Sequence, residues 1–123
     1  MQISQRRVNP QLKKDFAEIL YKVVADLNRP EEVELFFKSF LSKSELEIIT
    51  RRIGIIFLLH RKKSYTYIKD NLAVSSATVA GIAHQMKNSA KNGLKVALDK
   101  IEAEQWADKW VKKIGSVMKF GRE

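Results

Sequence analysis

The stretch from Ser64 to Lys87, SYTYIKDNLAVSSATVAGIAHQMK, limits the possible fold more than any other part of this chain. Tyr65, Ile68 and Leu72 recur at helical spacing, Ala73-Val74-Ser75 interrupts them, and Val79, Ile82 and Met86 resume on a new face. The pattern predicts a helix, a sharp turn and a second helix over residues 64–88. Two short helices joined by a turn of about three or four residues form a helix-turn-helix, whose second helix can enter a DNA major groove.

Charge falls on the same part of the chain. Residues 1–50 carry eight basic and eight acidic side chains, whereas residues 51–95 carry nine basic ones against the single acid Asp70. The net charge of +9 is therefore concentrated on and beside the predicted helix-turn-helix. Such a patch is either a solvated basic face or a footprint for a polyanion, because Lys and Arg that neutralise phosphates release counterions and drive binding.

The flanking sequence is helical throughout. Asn9-Pro10 is a start signal, since Asn caps and Pro is tolerated at the first helical position. Leu12, Phe16, Ile19, Val23 and Leu27 then form one apolar stripe. Asn28-Arg29-Pro30 ends that helix, and Glu31, Glu32 and Glu34 open the next with negative charge where the helix dipole favours it. Its aromatic residues, Phe36, Phe37 and Phe40, are too much apolar surface to leave wet. They are expected to pack inside the domain or against a second subunit. Ser42-Lys43-Ser44-Glu45 is a capping box. It predicts a helix from about Lys43 to His60 whose run Ile53–Leu59 is central and buried, with Ser64 capping the helix that follows. Beyond a weak break at residues 88–93, an amphipathic helix is expected over about 93–119, with Trp106 and Trp110 one turn apart as packing anchors. The expectation is an all-α chain of six helices. Residues 1–8 form a flexible basic arm and residues 9–123 a single helical domain.

Several chemistries find no support. The chain has no cysteine, which removes disulfides, zinc–cysteine sites and thiol nucleophiles. His60 and His84 have no metal-ligand spacing, and there is no glycine-rich phosphate loop. Ser116 and Lys119 spell S-x-x-K without companion motifs. No enzyme activity, metal or cofactor is expected. The run Ile53–Leu59 is far too short to span a bilayer, and the opening MQISQRRVNPQL lacks the apolar core of a signal peptide. A cytoplasmic location without a membrane partner is expected.

Within the second helix, Val79, Ile82, Ala83 and Met86 point inward. Ser76, Ala77, Ala80, Gly81, His84 and Asn88 then point outward, with Thr78 at the margin. Small side chains let a helix approach base edges closely, and an alanine methyl can touch a thymine methyl. The candidate base contacts are Ser76, Ala77, Thr78, Ala80, Gly81, His84 and Gln85. The candidate phosphate contacts are Arg61, Lys62, Lys63, Lys69, Ser75, Lys87 and Lys91, with Ser75 also the expected N-cap. The outward face holds no Arg. A protein-interaction module, or a replication or DNA-maintenance accessory built on the same fold, is therefore the alternative.

The segment from Phe40 to Met86 resembles the Trp repressor superfamily, most of all its Trp-repressor-like bacterial branch. The features that carry the resemblance are the F-L-S-x-x-E-L opening, Arg52, the Arg61-Lys62-Lys63-Ser64-Tyr65 junction and the Ser75-Ser76-Ala77-Thr78-Val79 start of the second helix. The flanks extend it to about residues 12–115. The resemblance implies a Trp-repressor-like helical fold, an intertwined homodimer, and a transcriptional regulator binding specific double-stranded DNA through paired helix-turn-helix units. In tryptophan-sensing members two arginines embrace the amino acid. Arg52 matches the first and is the possible ligand residue, but the second position is Gly81, so no corepressor is expected. Ala73 is a further departure, since this turn usually carries Gly. If its backbone is left-handed, Ala costs roughly 1 kcal/mol there.

Overall fold

A computed structural model describes residues 1–88, 93–103 and 107–116 of the chain. Every regular element among them is a helix: α1 (Pro10–Asp26), α2 (Pro30–Phe40), α3 (Lys43–His60), α4 (Tyr65–Leu72), α5 (Ser76–Lys87), α6 (Gly93–Ala103) and α7 (Ala107–Gly115). The all-α expectation holds. Seven helical segments are described: the stretch expected as one C-terminal helix over about 93–119 is described as α6 and α7, and residues 104–106 between them lie outside the described residues. Trp106 lies outside the described residues, as does the side chain of Trp110, and so does their expected packing. No helix among the described residues is long and apolar enough to cross a membrane. The chain divides into two compact units, Met1–Leu46 and Glu47–Glu123.

In the first unit, local signals set the helix ends. Asn9 Oδ1 accepts hydrogen bonds from the backbone N–H groups of Gln11 (2.9 Å) and Leu12 (3.3 Å), and Pro10 takes the first helical position. Pro30 does the same for α2, where Glu32 reaches back to accept from the Asn28 N–H at 3.1 Å. The capping box forms in full. Ser42 Oγ accepts from the Glu45 N–H at 3.1 Å, and Glu45 Oε1 accepts from the Ser42 N–H at 2.8 Å. The backbone bond from Ser42, followed by that from its hydroxyl, holds the Glu45 carboxyl below its ordinary range.

This unit has no buried residue in α1 or α2. Leu12, Phe16, Ile19 and Val23 fall on one stripe of α1 and are all exposed. In α2 the rings of Phe36 and Phe40 stack at 5.1 Å, yet Phe40 and Leu35 also face solvent.

The second unit owns the core. Ile55, Ile56 and Leu58 of α3, Ile68 of α4, Val79 and Ile82 of α5 and Leu98 of α6 are buried together, with Leu72, Val74, Met86 and Leu94 packed around them. α4 packs on α5. Gly54 lets α3 approach α4 closely: a Cβ there would stand 3.2 Å from Leu72 Cδ1. The buried part of α3 is narrower than its apolar run. Ile53 is exposed, as are Ile48 and Ile49 one turn earlier, so only one face of the helix meets the core.

Candidate nucleic-acid interface

Three caps and two left-handed residues shape the helix-turn-helix. α3 stops in a Schellman arrangement: the Lys63 N–H donates to the Leu58 carbonyl and the Lys62 N–H to the Leu59 carbonyl, each at 3.0 Å. Lys62 takes the left-handed position with φ 66°. Ser64 Oγ then caps α4 by accepting from the Tyr67 N–H at 3.0 Å. α4 ends at Ala73, whose φ of 53° and ψ of 51° are left-handed. The conditional strain at Ala73 is therefore present, about 1 kcal/mol for a residue carrying a Cβ. Ser75 Oγ caps α5 by accepting from the Thr78 N–H at 3.1 Å, and it also lies 2.9 Å from the Thr78 hydroxyl.

The turn is tied to α3 by an arginine. Arg51 Nη1 donates to the Ala73 carbonyl at 3.4 Å, while its Nη2 donates to Glu47 at 2.8 Å. Its neighbour Arg52 reaches α5 instead and donates from Nη2 to Gln85 Oε1. Two consecutive arginines therefore hold the two halves of the motif, one through the turn and one through the second helix.

The inner face of α5 is as the periodicity predicts. Val79 and Ile82 are buried, and Ala83 and Met86 are half-buried. Ser76, Ala77, Thr78, Ala80, Gly81 and His84 are exposed on α5. Gly81 faces open space, with nothing within 4 Å of a Cβ built there. His84 is bracketed by Asn88, whose Nδ2 donates to the His84 carbonyl at 3.0 Å and lies 3.1 Å from its Nε2. Gln85 is also exposed, but its amide oxygen is engaged by Arg52.

The candidate phosphate contacts separate into groups. Lys62, Lys69 and Lys87 are exposed, and no ion pair engages them among the described residues. Lys63 is half-buried with its ammonium 5.1 Å from the Tyr67 ring centroid. Ser75 is exposed but spends its hydroxyl on the cap. Arg61 is placed differently. Its side chain is only 24% exposed, pairs with Glu102 at 3.5 Å and lies over the Phe57 ring. Glu102 also stands 3.5 Å from His60, so this carboxylate joins the end of α3 to α6. Lys91 lies outside the described residues. Cross-element engagement of Arg61 and Gln85 was invisible to sequence periodicity. Glu102 is one of three carboxylates within residues 99–104, with Asp99 and Glu104, so nothing in the sequence singled it out as the partner of Arg61.

No group of three or more His, Cys, Asp or Glu among the described residues could hold a metal ion. What the arrangement offers instead is a small-residue helix face, rigidly capped, beside Lys62, Lys69 and Lys87, which no ion pair engages among the described residues. That combination suits close backbone approach and phosphate attraction.

A family model described as Trp repressor protein matches residues 15–102, more than half of the chain. It spans α2 to α5 completely, all of α6 but its last residue, and α1 from Asp15 onward. No curated protein and no solved structure matches.

Proposed function

The chain belongs to the Trp repressor family, and from that premise we propose that it is a homodimeric regulator of transcription that binds specific double-stranded DNA without answering to tryptophan. At the level of the family it stands among helix-turn-helix DNA-binding regulators, which are not enzymes. The observation that carries the finer reading is the coincidence of two features in one unit. Ser76, Ala77, Ala80 and Gly81, exposed on α5, are small, and residues 51–95 carry +8 of the chain's net charge of +9.

In this reading Ser76, Ala77, Ala80, Gly81 and His84 face base edges, with Thr78 at the margin. Lys62, Lys63, Lys69 and Lys87 hold the phosphates. Arg61 and Gln85 act within the protein, through Glu102 and Arg52 respectively. The dimer is supported by the first unit. Its helices bury nothing, and Leu12, Phe16, Ile19 and Val23 form a wet apolar stripe that a second copy can cover. Insensitivity to tryptophan is supported by Gly81, which brings no second guanidinium, and by Arg52, whose guanidinium already holds Gln85.

The test is fluorescence anisotropy of a labelled random duplex. Micromolar binding at about 50 mM salt, weakened roughly a thousandfold at about 200 mM, is expected of a dimer making several phosphate contacts per copy. Absence of binding at the lower salt rules the reading out. Ala77→Glu should abolish binding; if function survives that change, the interaction-module alternative is the better one. Calorimetry with tryptophan should show no heat of binding, and a micromolar signal would overturn the corepressor-free reading.

A further inference from the structure

α7 lies beyond residues 15–102, so membership of the family assigns it no task. Its three lysines, Lys109, Lys112 and Lys113, are all exposed. They recur at spacings of three and four, which puts them on one stripe of the helix. Ile114 falls on another side and is half-buried. Ile114 and Gly115 line one small cleft with Phe57 and Leu58 of α3 and Tyr67 of α4. The end of α7 therefore meets the junction of α3 and α4, beside Lys62 and Lys69 of the proposed phosphate set. We propose that α7 is an accessory backbone clamp, in which Lys109 and Lys112 hold duplex phosphates outside the stretch that α5 reads.

The simplest account of such a stripe is a solvated charged face. Elsewhere on this chain, exposed cations of that kind take an acidic partner one turn away, as in Glu34 with Lys38, Glu47 with Arg51 and Asp99 with Lys95. α7 does not follow them. Lys109 has no acidic residue three or four positions away, and Lys112 has Asp108 alone. Neither enters an ion pair among the described residues. The helix dipole accounts for Lys112 and Lys113, which stand in the last turn. It does not account for Lys109, which stands in the first turn, where a cation is disfavoured. Like charges at these spacings also destabilise a helix. An anion lying along the stripe offsets both costs, and the phosphates of a duplex supply a row of such anions.

The position of α7 favours a duplex over a lipid surface. A helix that lies on a membrane must give it an apolar side. Ile114 is already half-buried at the cleft with Phe57, Leu58 and Tyr67. The lysine stripe, by contrast, is open, and it extends the basic surface of α4 rather than starting a separate one.

The test is a salt titration of the full chain on a random duplex of about 40 base pairs, roughly four helical turns, so that flanking phosphates are present. Lys109→Gln with Lys112→Gln should lower the slope of log affinity against log salt by about two per copy. It should also weaken binding at about 50 mM salt by about tenfold or more. Lys109→Arg with Lys112→Arg keeps both charges and should restore the natural slope. Lys13→Gln with Lys14→Gln removes the same charge from exposed positions on α1 and should leave the slope unchanged. Equal losses from the α7 and α1 pairs, or an unchanged slope for the α7 pair, overturn the clamp. So does sedimentation with phosphatidylserine vesicles that needs Lys109 and Lys112 while the duplex slope does not. This role rests on the DNA-binding reading. A natural chain that binds no duplex overturns both, whereas duplex binding indifferent to the α7 pair overturns the clamp alone.

Discussion

Arg52 on α3 donates its guanidinium Nη2 to the amide oxygen of Gln85 on α5, across thirty-three residues of chain. Both side chains are exposed, so the bond adds little to the core, but it fixes α5 against α3 at the helix that carries the candidate base contacts. A charge-assisted hydrogen bond of this kind contributes about 1 kcal/mol. A double-mutant cycle of Arg52→Ala and Gln85→Ala should return a coupling energy of about that size in urea denaturation. Coupling indistinguishable from zero would show that the bond does not form in solution. The same pair also separates positioning from phosphate contact. Gln85→Ala should weaken duplex binding with the salt slope unchanged. Lys87→Gln should instead lower the slope by about one per copy.

The two left-handed residues predict gains in stability. Ala73 and Lys62 each carry a Cβ at a position that glycine adopts without strain. Ala73→Gly relieves about 1 kcal/mol of that strain, partly offset by the greater freedom of an unfolded glycine. A rise in the urea midpoint at unchanged m-value is expected, and a fall would refute the strain. Lys62→Gly should also stabilise, but it removes a cation from the proposed phosphate set. It should therefore separate stability from duplex affinity, raising the first and lowering the second.

How much of this was readable beforehand depends on how local the cause is. Asn9, Ser42 with Glu45, Ser64 and Ser75 all cap as their residue types and spacing predict, because a cap is decided within about four residues. The inward residues Val79 and Ile82 follow from helical period alone. Ile53 was expected in the buried run and is exposed, because an apolar sequence does not say which face of a helix will find a neighbour. The ties of Arg51 to Ala73, Arg52 to Gln85 and Arg61 to Glu102 join residues far apart in the chain. No periodicity encodes them, since each depends on where α3 stands against the turn, α5 or α6. The Lys62 backbone lay between these cases: a helix end near His60 was visible, the left-handed residue that follows it was not.

Acid should loosen the start of α3. The Glu45 carboxylate is stabilised by the hydrogen bonds from Ser42, so its folded pKa lies below the ordinary glutamate value of 4.5. A lowered folded pKa means that the carboxylate's contribution is complete above the ordinary value and is lost as pH falls through the folded one. The stability difference between the natural chain and Glu45→Gln should therefore be constant at neutral pH and shrink in acid. Urea titrations at a series of pH values check this. A difference that grows on acidification would contradict the capping geometry.

The exposed stripe of α1 gives the sharpest test of assembly. Phe16 stands on it between Leu12 and Ile19, and it is 62% exposed in a single copy. A charge at that position costs a lone chain little, because water already reaches the site. In a symmetric dimer the change appears twice, and each copy forfeits about 2 kcal/mol of apolar burial. Phe16→Asp should then weaken association by roughly a thousandfold. Sedimentation velocity at micromolar concentration is expected to give a dimer for the natural chain and a monomer, or an unfolded chain, for the variant. Intertwined subunits often have no stable lone fold, so circular dichroism belongs with the measurement. A natural chain that sediments as a folded monomer would leave the stripe of Leu12, Phe16 and Ile19 without the second copy proposed to cover it.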